Sequence, residues 1–110
     1  MITEIKAIIR PDRLSLVLHA LHSMPALPGV TISTVRGSGR RLPPHGAELA
    51  FDEVEMTKLE IVVPATIADD VVRAIERAAH TGRVGDGKIF LIPVQGAVKI
   101  RSGELGLAAL

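Results

Sequence analysis

Glu4-Ile5-Lys6-Ala7-Ile8-Ile9-Arg10-Pro11 and Lys58-Leu59-Glu60-Ile61-Val62-Val63-Pro64 are two versions of one phrase, a β-branched run stopped by proline. Both predict strands, because β-branched residues fit a pleated, half-buried surface. Proline lacks the N–H that a central strand needs, yet it suits the first turn of a helix. A helix is therefore expected after each run. Leu14, Val17, Leu18 and Leu21 recur at three- and four-residue steps after Pro11, as Ile67, Val71, Val72, Ile75 and Ala78 do after Pro64. The second helix carries Asp69 and Asp70 early and Arg77 late, in the sense that complements a helix dipole.

Each helix returns into a strand, Val30 to Gly37 in the first half and Lys88 to Gly96 in the second. The order β-α-β-β-α-β predicts an α+β, ferredoxin-like split βαβ fold, with one antiparallel sheet against two helices. A final extended piece is expected over Ala97 to Arg101. The halves are joined by a long connection of about 38–55, carrying Pro43-Pro44 and the acids Asp52, Glu53 and Glu55. Structureless connections beyond about 12–15 residues are uncommon in compact domains and tend to be functional.

A chain of 110 residues predicts a single domain over 1–110. Hydrophobic residues at 47% and charged ones at 23% exclude a disordered or fibrous class. Charges, prolines or glycines interrupt every apolar run before the roughly 18 residues of a membrane span. No leader pattern opens the chain, which predicts a cytoplasmic protein. The absence of cysteine excludes disulfides, thiolate nucleophiles and Cys-ligated metals. Net charge of +1, and Phe51 and Phe90 as the only aromatics, argue against a nucleic-acid partner. A mean hydropathy of +0.35 is high for so small a domain, and surplus apolar surface predicts an oligomer.

Chemistry concentrates in Thr81-Gly82-Arg83-Val84-Gly85-Asp86-Gly87-Lys88, where glycines let backbone N–H groups approach an anion with a cation behind them. Gly82 to Lys88 fits half of a P-loop. Ile89, however, stands where a magnesium-holding hydroxyl belongs, and the helix precedes the loop instead of following it. The segment reads as another kind of phosphate cradle or as a loose helix-to-strand turn. Gly37-Ser38-Gly39-Arg40-Arg41 adds a second glycine turn with guanidinium groups, which suit phosphate. Lys99 and Arg101, alternating on an extended segment, would share a face. Catalytic groups are poor by comparison. His19 and His22 lack a third ligand, His45 and His80 stand apart, and no serine sits in a nucleophile elbow, so no enzyme is expected.

The chain resembles the PII nitrogen-regulatory signal proteins in Ala7-Ile8-Ile9-Arg10-Pro11, Val35-Arg36-Gly37-Ser38-Gly39-Arg40, Glu60-Ile61-Val62-Val63-Pro64 and, above all, Thr81 to Phe90. The resemblance implies a homotrimer that binds ATP or ADP, with AMP a further candidate, in clefts between subunits. It also implies a long loop that docks onto a target protein, such as a membrane transporter or an enzyme. By position it assigns nucleotide binding to Gly37, Ser38, Gly39, Arg40, Gly85, Asp86, Gly87 and Lys88, with Thr31 and Val62 at the adenosine. Lys99 and Arg101 fall where the adjoining subunit supplies two arginines, and lysine lacks the bidentate fork.

Departures from the family pattern lie mostly in the loop, which is shorter than usual. Without tyrosine, uridylylation is excluded. Arg41 and Met56 replace the family's glutamine and lysine for magnesium and 2-oxoglutarate. The resemblance therefore implies no 2-oxoglutarate site and leaves the part of Mg²⁺ open. Leu49, Phe51, Asp52 and Glu53 are the expected docking edge. A bicarbonate or other small-anion sensor with nucleotide as co-ligand is the alternative, as is a metal-tolerance trimer using His19, His22 or His45.

Overall fold

The computed structural model describes the backbone of residues 1–41 and 50–110, and the side chains of residues 1–38 and 53–110. The chain runs β1 (Ile2–Ile9), α1 (Leu14–His22), β2 (Thr31–Arg41), β3 (Ala50–Pro64), α2 (Ala65–Ala79) and β4 (Gly87–Val94). The strands form one four-stranded sheet in the order β2-β3-β1-β4, with every neighbouring pair antiparallel. This is the expected ferredoxin-like arrangement, with both helices on one face. Among the described residues no helix is long and apolar enough to cross a membrane.

Alternation decides which face is covered. Ile5, Ala7 and Ile9 of β1 and Leu59, Ile61 and Val63 of β3 are buried under Val17 and Leu21 of α1 and Ala68, Val71, Ile75 and Ala79 of α2. Each fully buried Ile, Leu or Val adds about 1.5–3 kcal/mol relative to its exposure. The intervening residues, among them Glu4, Lys6, Lys58, Glu60 and Lys88, stand on the opposite, open face. Pro93 is tolerated because β4 is an edge strand.

Neither end of α2 is capped by its own side chains. Pro64 is its N-cap, and the Ala65 N–H donates to the Met1 carbonyl at 3.0 Å. At the other end Arg13 donates from Nε and Nη2 to the Ala78 carbonyl at 3.0 and 2.8 Å, placing a cation where the helix dipole is negative. Asp69 and Asp70 lie beyond the first turn, contrary to expectation, and Asp70 pairs with Arg73 instead.

Two expectations need correction. The described ends of the 38–55 connection, residues 38–41 and 50–55, are strand: β2 and β3 stay paired out to Arg41↔Ala50, well beyond the Ile9↔Thr57 pair where β1 ends. Opposite charges face each other along this pairing: Arg36 lies opposite Glu55, and its Nη1 is 3.6 Å from Oε1 of the diagonal Glu53. The piece from Ala97 to Arg101 is not a sheet strand. It is one arm of a tight hairpin, with Lys99 N–H donating to the Glu104 carbonyl at 2.8 Å and Gly103 N–H to the Lys99 carbonyl at 2.7 Å. Gly103, at φ +75°, permits the turn that begins at Ile100, so Arg101 does not share a strand face with Lys99.

Candidate functional site

The site grows from the end of α2. His80 closes the helix, its N–H donating to the Glu76 carbonyl at 3.1 Å, and the chain then loops through Thr81–Asp86 into β4. Gly82, Gly85 and Gly87 sit at φ +84°, +97° and +99°. At Gly87 the constraint is doubled, because a Cβ there would lie 1.7 Å from the Ile8 carbonyl oxygen. Glycine is required for β4 to approach β1 at this point.

Asp86 organises the loop from within. Its Oδ2 accepts the N–H groups of Thr81 and Gly82, each at 2.9 Å. Its Oδ1 accepts the Thr81 hydroxyl and, at 2.9 Å, Nε of Arg10. The Thr81 hydroxyl in turn accepts the Arg83 N–H at 3.2 Å. Together these bonds, the Thr81 hydroxyl foremost, hold the Asp86 carboxyl far below the usual carboxylate range. The carboxylate is thereby committed to the loop.

Across from the loop stands the base of the β2–β3 ribbon. Arg10, Pro11 and Asp12 join Val54, Glu55 and Met56 of β3, Val84 and Gly85 of the loop and Gly87 at the start of β4 around a hollow of about 620 Å³. The fold thus brings together the glycine loop and the strand segment opposite Gly37 and Ser38, which pair with Val54 and Glu53. Glu53 lies on the exposed ribbon, beside Arg36. The side chains of Arg40, Arg41, Phe51 and Asp52, and all of His45 and Leu49, lie outside the described residues, while Gly39 is described as β2 backbone alone.

Lys88 is exposed on the sheet's open face, directly opposite Ile8. Thr31 and Val62 line a separate hollow of about 400 Å³ with Glu4, Pro28, Gly29, Glu60 and Leu110. Thr31 is on β2 and Lys88 on β4, at opposite edges of the sheet. Three strand spacings, about 14 Å, separate those edges. One chain therefore does not bring these residues together.

His19 and His22 are both exposed on α1, and His80 Nδ1 is 3.9 Å from Asp86 Oδ2. Among the described residues no group of three His, Asp or Glu could hold a metal ion. The sequence context of Arg10 assigns it no role, although its guanidinium holds the glycine loop beside the hollow. Its signal is weak: an aspartate among glycines calls for a cation, but nothing local says which.

The description "Nitrogen regulatory protein P-II" belongs to the family model that matches residues 2–104. The chain is 41% identical over 107 residues to the nitrogen regulatory protein P-II of Azospirillum brasilense, covering 94% of this chain and 95% of that one. A structure of Arabidopsis thaliana PII bound to citrate superimposes with a TM-score of 0.83 at 37% identity, covering 99% of this chain and 92% of that one. The Bacillus subtilis GlnK-ATP complex gives 0.86 at 29% identity, covering 99% and 97%.

Proposed function

The chain belongs to the nitrogen regulatory protein P-II family, and from that premise we propose a non-enzymatic regulator that binds ATP or ADP and thereby gates the docking of its β2–β3 ribbon to a target protein. The observation carrying this reading is the glycine loop, internally bonded through Asp86 and open on one side to the hollow beneath the ribbon. The ATP held by the similar GlnK supports it. In this reading the N–H groups of Gly85, Asp86 and Gly87 meet the phosphates and Lys88 supplies a point charge. Gly37, Ser38, Gly39 and Arg40 approach from the ribbon. A phosphate drawn between loop and ribbon makes nucleotide binding and ribbon shape mutually dependent, so a docked partner and the nucleotide influence each other's affinity.

The distance between the Thr31–Val62 hollow and Lys88 favours a composite cleft in a homotrimer, with Lys99 and Arg101 reaching in from a neighbour. Such an assembly would also cover Phe90, Leu91, Val98, Ile100, Leu105 and Leu107, all large apolar side chains that are exposed in the single chain. Leu49, Phe51, Asp52 and Glu53 form the docking edge in this proposal. Small-anion sensing with nucleotide as co-ligand is the second reading, favoured by the citrate held by the similar Arabidopsis protein.

Titration calorimetry with ATP, ADP and AMP, with and without citrate, bicarbonate and 2-oxoglutarate, tests these readings. Lys88→Ala is expected to weaken ADP binding roughly tenfold to hundredfold, the worth of one charge-assisted phosphate contact. An unchanged affinity in that variant removes Lys88 from the site. 2-Oxoglutarate is expected to leave the affinity for MgATP unaltered, Met56 offering no cation. Light scattering that found a monomer at micromolar concentration would overturn the composite cleft.

A further inference from the structure

The corner between β1 and α1 carries a guanidinium in an unusual position. Arg10 precedes Pro11, which biases its backbone to the extended region, and it sits at φ −62°, ψ 137°. The corner is further closed by the Arg13 N–H, which donates to the Arg10 carbonyl at 3.0 Å. From this fixed base the side chain reaches the glycine loop and grips it twice. Nε donates to Asp86 Oδ1 at 2.9 Å, and Nη2 donates to the Val84 carbonyl at 2.6 Å. The two grips flank Gly85, whose missing Cβ would stand 3.4 Å from Nη2.

Peptide planarity gives this grip a direction. In a trans peptide the C=O and the following N–H point opposite ways, and no peptide bond here is cis. Holding the Val84 carbonyl against Arg10 therefore turns the Gly85 N–H away from Arg10. Glycine at φ +97° has wide backbone freedom, so without the clamp this N–H would sample many directions. Lysine could not do the same work, because a single ammonium on a flexible stem lacks the fixed fork that spans two acceptors.

We propose that Arg10 is a positioning residue for the phosphate cradle: its two-point clamp on Val84 and Asp86 sets the direction of the Gly85 N–H, without touching the nucleotide. This inference rests on the reading of the loop as a nucleotide site. It predicts a loss confined to the phosphate-dependent part of the affinity, since adenosine alone makes no demand on the Gly85 N–H.

The test is titration of ATP and adenosine into the wild-type protein, Arg10→Met and Arg10→Lys, with melting temperatures measured alongside. Arg10→Met keeps most of the side chain's apolar length and loses both bonds. It is expected to weaken ATP about tenfold, the scale of a lost charge-assisted hydrogen bond, with adenosine unchanged. Arg10→Lys, which keeps the charge and makes one of the two bonds, is expected to fall between wild type and Arg10→Met. Should Arg10→Met fail to fold, Arg10→Lys carries the test through its ATP-to-adenosine ratio. Equal weakening of ATP and adenosine, or full ATP affinity in both variants, overturns the proposal. Wild-type protein that binds no adenine nucleotide overturns the underlying function instead, an outcome visible before any variant is made.

Discussion

The glycine loop and the β2–β3 ribbon leave the same end of the sheet and are held in opposite ways. The loop is short and bound by side chains: one carboxylate and one guanidinium engage four of its residues, Thr81, Gly82, Val84 and Asp86. The ribbon is long and bound by its backbone ladder, with the exposed Arg36–Glu53 pair as a side-chain tie among the described residues. A two-stranded ladder without a packed face is marginal in water, whereas a loop tied by charge-assisted bonds keeps its shape before any ligand arrives. The difference suits a site in which one wall is preformed and the other is reshaped by what binds.

Gly87→Ala probes the preformed wall most severely. The new Cβ would fall 1.7 Å from a backbone oxygen, that of Ile8, in the ladder that joins β1 to β4. Neither strand yields without breaking the sheet, and φ +99° is unfavourable to alanine. Denaturant unfolding is expected to show a loss of about 3 kcal/mol or more. A loss under about 1 kcal/mol would mean that β4 enters the sheet elsewhere.

Asp86→Asn cuts less deeply. The amide gives up the charge that attracts Arg10, and its NH₂ group faces donors at Thr81 and Gly82, so the melting temperature at neutral pH is expected to drop by several degrees. Acidity probes the same bonds. Because folding lowers the Asp86 pKa, its stabilisation is fully present above the ordinary value of 3.8 and is lost as pH falls from there toward the lowered value. Melting curves taken down through that range should fall more steeply for wild type than for Asp86→Asn. Parallel curves would show that Asp86 does not tie the loop in solution.

The two walls also differed in how plainly the sequence declared them. Ile5, Ala7 and Ile9, and Leu59, Ile61 and Val63, face a packed core, so their alternation announces strands and, with the helices between, the fold. Gly82, Gly85 and Gly87 announced the loop, since each sits at positive φ. Residues 38–41 and 50–55 read as connection because the ribbon runs on beyond β1 and its sequence there shows no sustained apolar alternation. Its signal is the match of Arg36 to Glu55 and Glu53, which emerges only once the register is known. Arg10 was missed for a related reason: its partners, Val84 and Asp86, are remote in sequence. Lys99 and Arg101 alternate in sequence, but the turn that Gly103 permits takes Arg101 off the extended arm that holds Lys99.

The mildest probe belongs to the ribbon. In the Arg36–Glu53 pair the side chains are 74% and 65% exposed and 3.6 Å apart, a geometry in which water screens most of the attraction. Removing one partner from such a pair costs about 0–1 kcal/mol, and holding two long side chains in place offsets part of even that. Arg36→Ala is therefore expected to shift the melting temperature hardly at all, and equally little at low and high salt. If the ribbon's shape depends on cross-strand charge, the response is different: Arg36→Ala weakens nucleotide binding at low salt, and added salt weakens the wild type to the same level. That outcome would move the ribbon toward the loop's way of being held, and the contrast between the two walls would have to be redrawn with charge on both sides.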